Sequence, residues 1–436
     1  MNAVIQATAA TILQKSTINF RLILVCLAAA SVGLPVAIVS IAKVLLILGG
    51  VALLIFSRIA VVESEPKIRF GSTEFAVAAA LALFAVSLAW TSAPMEDALG
   101  SLNKYGKLLM IPLIAALIQN RKEAICALIV FALVQLFLAV GSWMLFFHMP
   151  VTWATSRSDA RFGNAVFSSY LDQGIMTAVF ASVCWHCRSL SLGRFGRHIA
   201  IAVVVLALFN VFFALRGRTG HLVAITLISL AIMWELPRKF RIGIIFLPVI
   251  LMLGISVVSP KVRERAIDVK TELQNFSFKE GASVAGGSSS GIRLHFWHRA
   301  IQSIADRPLM GAGIGSWSSE FNRLEKEKKA VPDSIAPMGN PHQEYLLWGV
   351  QLGVPGILLL LVFFAAIFRD TQHMDEMSSR VTRSVLVALM IACLFNSVIY
   401  DALIGDFFCV TLGLLIALGR LPNRVDRKIP VNGQLL

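Results

Sequence analysis

Gly311-Ala-Gly-Ile-Gly-Ser-Trp317 belongs to a polar stretch running from Ser259 to about Asn340, and Asn340-Pro-His-Gln-Glu-Tyr-Leu346 returns the chain from it to the membrane, in a sequence that is otherwise mostly apolar. The same stretch carries Arg293, Trp297 and Arg323. A segment this polar has no place in hydrocarbon, where unpaired backbone groups cost several kcal/mol each. It must lie outside a membrane, and the chain around it must cross one. Working outward from it, twelve apolar segments have cores of about 15 to 25 residues, the length a hydrocarbon layer of about 30 Å requires. They fall near 19–35, 37–57, 74–92, 104–119, 123–147, 170–187, 198–215, 220–236, 242–258, 344–368, 383–399 and 403–420. The expected fold is an all-α polytopic membrane protein of about 12 transmembrane helices with one large external helical loop. Its divisions are residues 1–258 (spans one to nine), 259–343 (the loop, a helical cap) and 344–436 (spans ten to twelve and a tail).

Composition agrees. Of 436 residues, 57% are hydrophobic and 15% charged, against about 25% charged in soluble domains, and the mean hydropathy is +0.76. The net charge of +14 would suit nucleic acid if it formed a patch, but it follows topology. Twenty Lys and Arg residues, among them Arg21, Arg121, Arg188, Arg241, Arg380 and Arg420, occupy alternate loops and the termini, whereas the short loops of the other side hold only Lys104, Arg157, Arg161, Arg216 and Arg218. By the positive-inside rule the richer side is cytoplasmic, so both termini are cytoplasmic and the long loop is external. Nucleic acid is not expected as a partner; membrane lipids are. The first apolar run lacks a small-residue cleavage site and reads as a retained anchor.

The six cysteines fall within or at the ends of spans, so no disulfide framework is implied. Cys184-Trp-His-Cys187 has the spacing of a metal or redox pair but no second pair. Neither HExxH nor another spaced ligand set occurs, and no metal is expected. Within the long loop, Gly281 to Gly291 is a Gly/Ser-rich patch, with a charged helix expected over Lys261–Lys279 before it. Ile292, Phe296, Ala300 and Ile304 then recur in steps of four, which predicts an amphipathic helix with Arg293 beside its apolar stripe and Trp297 at i+4 from Arg293. Pro308 and the glycines after it end that helix, and a third, charged helix is expected over Ser318–Ala330. Gly311-Ala-Gly-Ile-Gly315 lacks the preceding strand of a dinucleotide site and the Lys-Ser/Thr ending of a P-loop. It reads as a tight turn returning the cap to the membrane, or as a nest of amides for an anion.

Arg161, Arg216, Arg218 and Arg293 stand out because the external short loops are otherwise almost free of cations. Membrane-face arginines often snorkel to lipid phosphate. Gathered on one face, they instead suggest a site for a lipid-linked phosphate or diphosphate, which guanidinium groups bind bidentately. His342 follows Pro341 at the start of the tenth span, with Glu344 and Tyr345 beside it. A neutral imidazole there can accept a proton near neutral pH, and helical spacing would put His342, Tyr345 and Leu346 on one face. Asn396, Tyr400, Asp401 and Asp406 form the last external turn.

Arg293, Trp297, Pro308-Leu-Met-Gly-Ala-Gly-Ile-Gly-Ser-Trp317, His342-Gln-Glu-Tyr-Leu346, Gly349 and Gly353-Val-Pro-Gly356 together resemble the O-antigen ligase and O-antigen polymerase superfamily, most of all O-antigen ligase. Arg218-Thr-Gly220 is similar to that family's short Arg-containing turn. The motif block covers about 65 residues and the topological likeness the whole chain. The family often has Asn or Ser after the histidine, where this chain has Gln343. The resemblance implies a bacterial inner-membrane glycosyltransferase with its loop in the periplasm, metal-independent and inverting, without cofactor. It would take a glycan from undecaprenyl diphosphate to lipid A–core oligosaccharide. It further implies His342 as general base and Arg161, Arg216, Arg218 and Arg293 as diphosphate ligands, with Tyr345, Glu344 and Trp297 as acceptor or supporting groups. A polymerase joining lipid-linked repeats is the alternative within the class. A lipid or solute transporter is the alternative outside it, and would require mid-span ionisable groups and repeat symmetry. No repeat is visible, and Lys43 and Lys107 are the exceptions among charges that otherwise keep to span ends.

Overall fold

The computed structural model describes residues 19–59, 71–154, 163–190, 193–215, 217–237, 239, 241–244, 246–250, 254, 267, 289–327 and 339–421, and these contain helices and no strand. In chain order they form α1 (Asn19–Ser31), α2 (Val36–Ile59), α3 (Ser72–Val86), α4 (Met95–Tyr105), α5 (Met110–Leu117), α6 (Arg121–Phe146), α7 (Tyr170–Cys187), α8 (Gly193–Phe209), α9 (Arg218–Glu235), α10 (Arg241–Ile244), α11 (Ser289–Asp306), α12 (Trp317–Glu327), α13 (Glu344–Leu352), α14 (Val354–Thr371), α15 (Glu376–Phe395) and α16 (Ala402–Arg420). Short 3-10 turns extend α3 to Trp90 and precede α5, and a π turn carries α8 to Ala214. Seven of these helices are long and apolar enough to cross a membrane: α2, α3 with its extension, α6, α8 with its π turn, α14, α15 and α16. The other expected spans fall on helices that are shorter or more polar, and the ninth, near 242–258, lies only in part within the described residues.

The bundle has two chemically distinct ends. At one, Asp370 accepts from the Ser72 and Thr73 amides and the Thr73 hydroxyl (2.8, 3.1 and 2.7 Å), while Arg420 bridges Asp370 (3.0 Å) and Glu74 (2.5 and 2.8 Å). Arg121 pairs with Asp375 and Arg188 with Glu235 at the same end. The other end carries α4, the cap helices α11 and α12, and the turn between α15 and α16. The helix at the hub is α16, buried along almost its whole length, whereas α2 is mostly unburied and leaves Ile41, Leu48 and Phe56 exposed. Such an outward apolar face is what a lipid-contacting helix presents. Helices that gain nothing from leaving water are held by close packing. Accordingly α7 and α9 meet at Gly174 and Gly220, where a Cβ on Gly220 would sit 2.9 Å from the Gly174 carbonyl carbon.

The expected tenth span is not continuous. Gly353, at φ +71°, breaks it into α13 and α14. A break inside a membrane protein frees backbone groups that need partners, and the glycine turn of the cap provides them. Ala312 N donates to Val350 O (2.8 Å), Gly313 N to Gln351 O (2.9 Å), and Val354 N to Pro308 O (2.7 Å). Gly311, Gly313 and Gly315 all adopt positive φ, and a Cβ on each would strike α13, Thr91 or α4 at 2.3 to 2.9 Å. All five amides from Gly311 to Gly315 donate to protein acceptors, so the turn braces the helix break and has no amide left to hold an anion.

The cap shares the bundle's core. Phe296, Trp317 and Phe321 pack in the same buried cluster as Phe84, Tyr105 and Trp348. Between α11 and α12, Glu325 accepts from His295 (3.0 Å) and Arg299 (2.5 Å), and Glu320 accepts from Ser92, Ser303 and Arg323. The amphipathic helix expected from Ile292 appears as α11, and the charged one as α12. The helix expected over 261–279 lies, apart from residue 267, outside the described residues.

Candidate functional site

His342 precedes α13, so it does not share a helical face with Tyr345 and Leu346 as its spacing suggested. It sits in a left-handed conformation at φ 54°, a region in which a side chain with Cβ costs about 1–2 kcal/mol. The turn is held from both sides. Asn340 Oδ1 accepts from the His342 amide (2.9 Å), and Asn340 Nδ2 in turn donates to Asp401 Oδ1 (2.9 Å). Gln343, where the resembled family often has Asn or Ser, is the N-cap of α13 and accepts from Leu346 N at 2.6 Å. That capping task is one Asn and Ser also perform.

The His342 ring lies against Phe296 of the cap, centroids 6.4 Å apart and planes 24° from parallel. Its Nδ1 is 3.3 Å from Asn396 Oδ1, at the end of α15. Arg293 of α11 is within electrostatic reach of His342, and also of Arg218 and Tyr170. Burial, followed by Arg293, places the His342 imidazole below its ordinary value of 6.5 despite the opposing Asn396 contact. Burial, together with the like charge of Arg218, also lowers Arg293, and Tyr170 opposes. Asp401, placed just before α16, is pushed up to about 7 by burial, then by Asp172, with Lys107, Lys104 and Asn340 opposing.

Arg218 is exposed at the start of α9. Its turn is set close to α7, because Gly217 lies 3.2 Å (measured to a built Cβ) from the Tyr170 carbonyl. The fold therefore draws Arg218, Arg293 and His342, which are far apart in sequence, into one neighbourhood. Arg161 and Arg216 lie outside the described residues. Glu344 is fully buried and accepts from Trp348 Nε1 (2.8 Å) and the Ile399 and Tyr400 amides (2.8 and 3.2 Å). It braces the turn between α15 and α16. Tyr345 donates to the Met390 carbonyl at 3.2 Å, tying α13 to α15. Trp297 keeps its place on the Arg293 face of α11, with a buried Nε1 that has no acceptor among the described residues.

Two groups at this end were not assigned a role from sequence. Asn396 contacts His342 Nδ1, and Lys107, 1% exposed, donates to the Tyr400, Asp401 and Ala402 carbonyls (3.4, 2.5 and 3.4 Å). The position of Lys107 in an apolar run was its only signal. Asp406, read from sequence as part of the external turn, lies inside α16 at 2% exposure and pairs with Lys43 at 3.4 Å. Among the described residues no cluster of three His, Cys, Asp or Glu groups is placed to hold a metal.

Residues 202–361 match the O-antigen ligase family model. The matched segment holds Arg218, Arg293, the glycine turn, His342 and the helix break, and it supports the O-antigen ligase and polymerase superfamily, whose members are glycosyltransferase-like enzymes. No curated protein matches the chain.

Proposed function

We propose, from that family match and the setting of His342, that the protein is an O-antigen ligase of the bacterial inner membrane. It is an inverting glycosyltransferase needing no metal or cofactor, and it moves a glycan from undecaprenyl diphosphate to lipid A–core oligosaccharide. The end bearing Arg121, Arg188 and Arg420 faces the cytoplasm, with both termini, and the His342 end faces the periplasm, in keeping with the charge asymmetry of the loops. About 12 spans are traversed in all.

The observation that carries this reading is the His342 imidazole packed against Phe296 of the cap and within electrostatic reach of Arg293, which is itself within reach of Arg218. His342 takes the proton of an acceptor hydroxyl. The freed oxygen attacks the anomeric carbon from the side opposite the diphosphate, the bond from that carbon to the phosphate oxygen breaks, and configuration inverts. The departing undecaprenyl diphosphate carries the electron pair, and Arg218 and Arg293, with Arg161 and Arg216, offset its charge. The imidazolium then returns its proton to water. The donor is already activated, so no nucleotide is consumed. Glu344 and Tyr345 support the site by holding α13, and Trp297 offers its indole N–H on the arginine side.

The test is transfer by purified protein between a defined undecaprenyl diphosphate-linked glycan and lipid A–core, in EDTA and without ATP, compared with His342→Ala. Glycan on the core with wild type only is the expected outcome. Longer lipid-linked glycan with an untouched core would identify a polymerase, and absence of either product would return the transporter reading.

A further inference from the structure

The side chain of Asn396 has a fixed orientation, and it faces the His342 ring. The chain leaves α15 at Asn396, whose own amide closes the last helical turn on Ala392 O (2.9 Å) before the backbone becomes extended (φ −155°, ψ 158°). The next amide, Ser397 N–H, donates to the Asn396 side chain at 3.1 Å. Only the carbonyl oxygen can accept there, since the amide NH2 has no lone pair to offer. The Oδ1 and Nδ2 atoms of Asn396 are thereby distinguished by chemistry. The same Oδ1 faces His342 Nδ1 at 3.3 Å. Two lone pairs cannot face each other in a stable contact, so Nδ1 must carry the hydrogen.

We propose that Asn396 is a positioning residue that fixes the Nδ1–H tautomer of His342, so that the lone pair is on Nε2, the nitrogen that takes the acceptor proton. This rests on His342 being the general base. In the transfer step Nδ1–H stays on Asn396 Oδ1 while the acceptor hydroxyl proton moves to Nε2, giving an imidazolium whose second N–H bond is already satisfied. A neutral amide in this place orients the ring and favours the charged form less than a carboxylate would. The charges around the ring do not add to that preference. Arg293 approaches from α11 and disfavours the imidazolium. Asp401 is turned toward Asn340, and Glu344 is committed to Trp348 and the 399–400 amides. The turn bearing Asn396 is itself held by Lys107, which donates to its carbonyls, and by Glu344, which accepts from its amides.

The experiment measures kcat and donor KM against pH for full-length wild type, Asn396→Asp, Asn396→Leu and His342→Ala, using the glycan donor and lipid A–core acceptor above. Asn396→Leu should lose kcat by on the order of 10²-fold with donor KM unchanged, as expected when a base loses its tautomer. Asn396→Asp, which can accept from Ser397 N–H and His342 alike, should keep measurable transfer while its acid limb moves about one pH unit upward. An acid limb unmoved in Asn396→Asp, or wild-type kcat in Asn396→Leu, overturns the assignment of Asn396 if His342→Ala is inert. Full activity in His342→Ala would remove the general-base reading itself, and this inference with it.

Discussion

His342 combines a chemical task with a backbone conformation that most side chains resist, and the two can be separated by substitution. Asparagine tolerates left-handed φ better than other residues with a Cβ. His342→Asn should therefore unfold at the wild-type temperature while losing transfer by about 10²- to 10⁴-fold, the usual contribution of a general base. A large fall in melting temperature would show instead that the ring is chiefly a structural wedge against Phe296. The pH dependence follows from the direction of the His342 shift. Because burial lowers its value below 6.5, the neutral base prevails at and above neutrality. Activity should rise with pH through a limb lying below 6.5, then level off, and a limb well above it would identify another group. Arg218→Ala and Arg293→Ala should each raise donor KM by roughly 10- to 100-fold, since a charge-assisted contact to phosphate contributes about 1.5–3 kcal/mol. The sequence marked these arginines because cations are rare on a lightly charged face, and His342 because it stands where the loop re-enters the membrane, with Glu344 and Tyr345 beside it. It could not mark Asn396, whose importance lies only in which atom faces Nδ1.

Among the elements, the glycine turn and the broken α13–α14 helix form one junction. Gly313→Ala would put a Cβ 2.3 Å from Thr91 Cα at φ +85°. The expected loss is at least about 2 kcal/mol from conformation and clash together, read as a drop in unfolding temperature of detergent-solubilised protein, with activity falling alongside. Gly100→Ala, which meets no atom within 4 Å, should be tolerated. The cap helices depend on Glu325. Replacing it with Leu removes the carboxylate shared by Arg299 and His295, both at most 5% exposed, and breaking a buried pair from one side costs about 3–5 kcal/mol. Limited proteolysis should then cut within α11 or α12 where wild type resists. Both motifs were visible as Gly311-Ala-Gly-Ile-Gly315 and Gly353-Val-Pro-Gly356. Their joining was not, because it depends on hydrogen bonds between segments some 40 residues apart.

At the scale of the whole molecule, the two ends of the bundle should lie on opposite sides of the membrane. A cysteine at Glu376, beside Arg380, should react with impermeant maleimide only after the inner membrane is opened, and one at exposed Arg307 should react from the periplasm; the reverse pattern would invert the topology. The amino-acid sequence by itself determined an all-helical membrane chain, the polar cap, its amphipathic helix and the family motif block. Each rests on local hydropathy, periodicity or residue identity, which act over a few helical turns. Tertiary structure alone decided that the tenth span breaks at Gly353, that α16 forms the hub, and that Lys107 and Glu344 hold the turn carrying Asn396. The physical reason is that buried backbone and charged groups must find partners wherever packing places them, and packing is settled by contacts between distant segments.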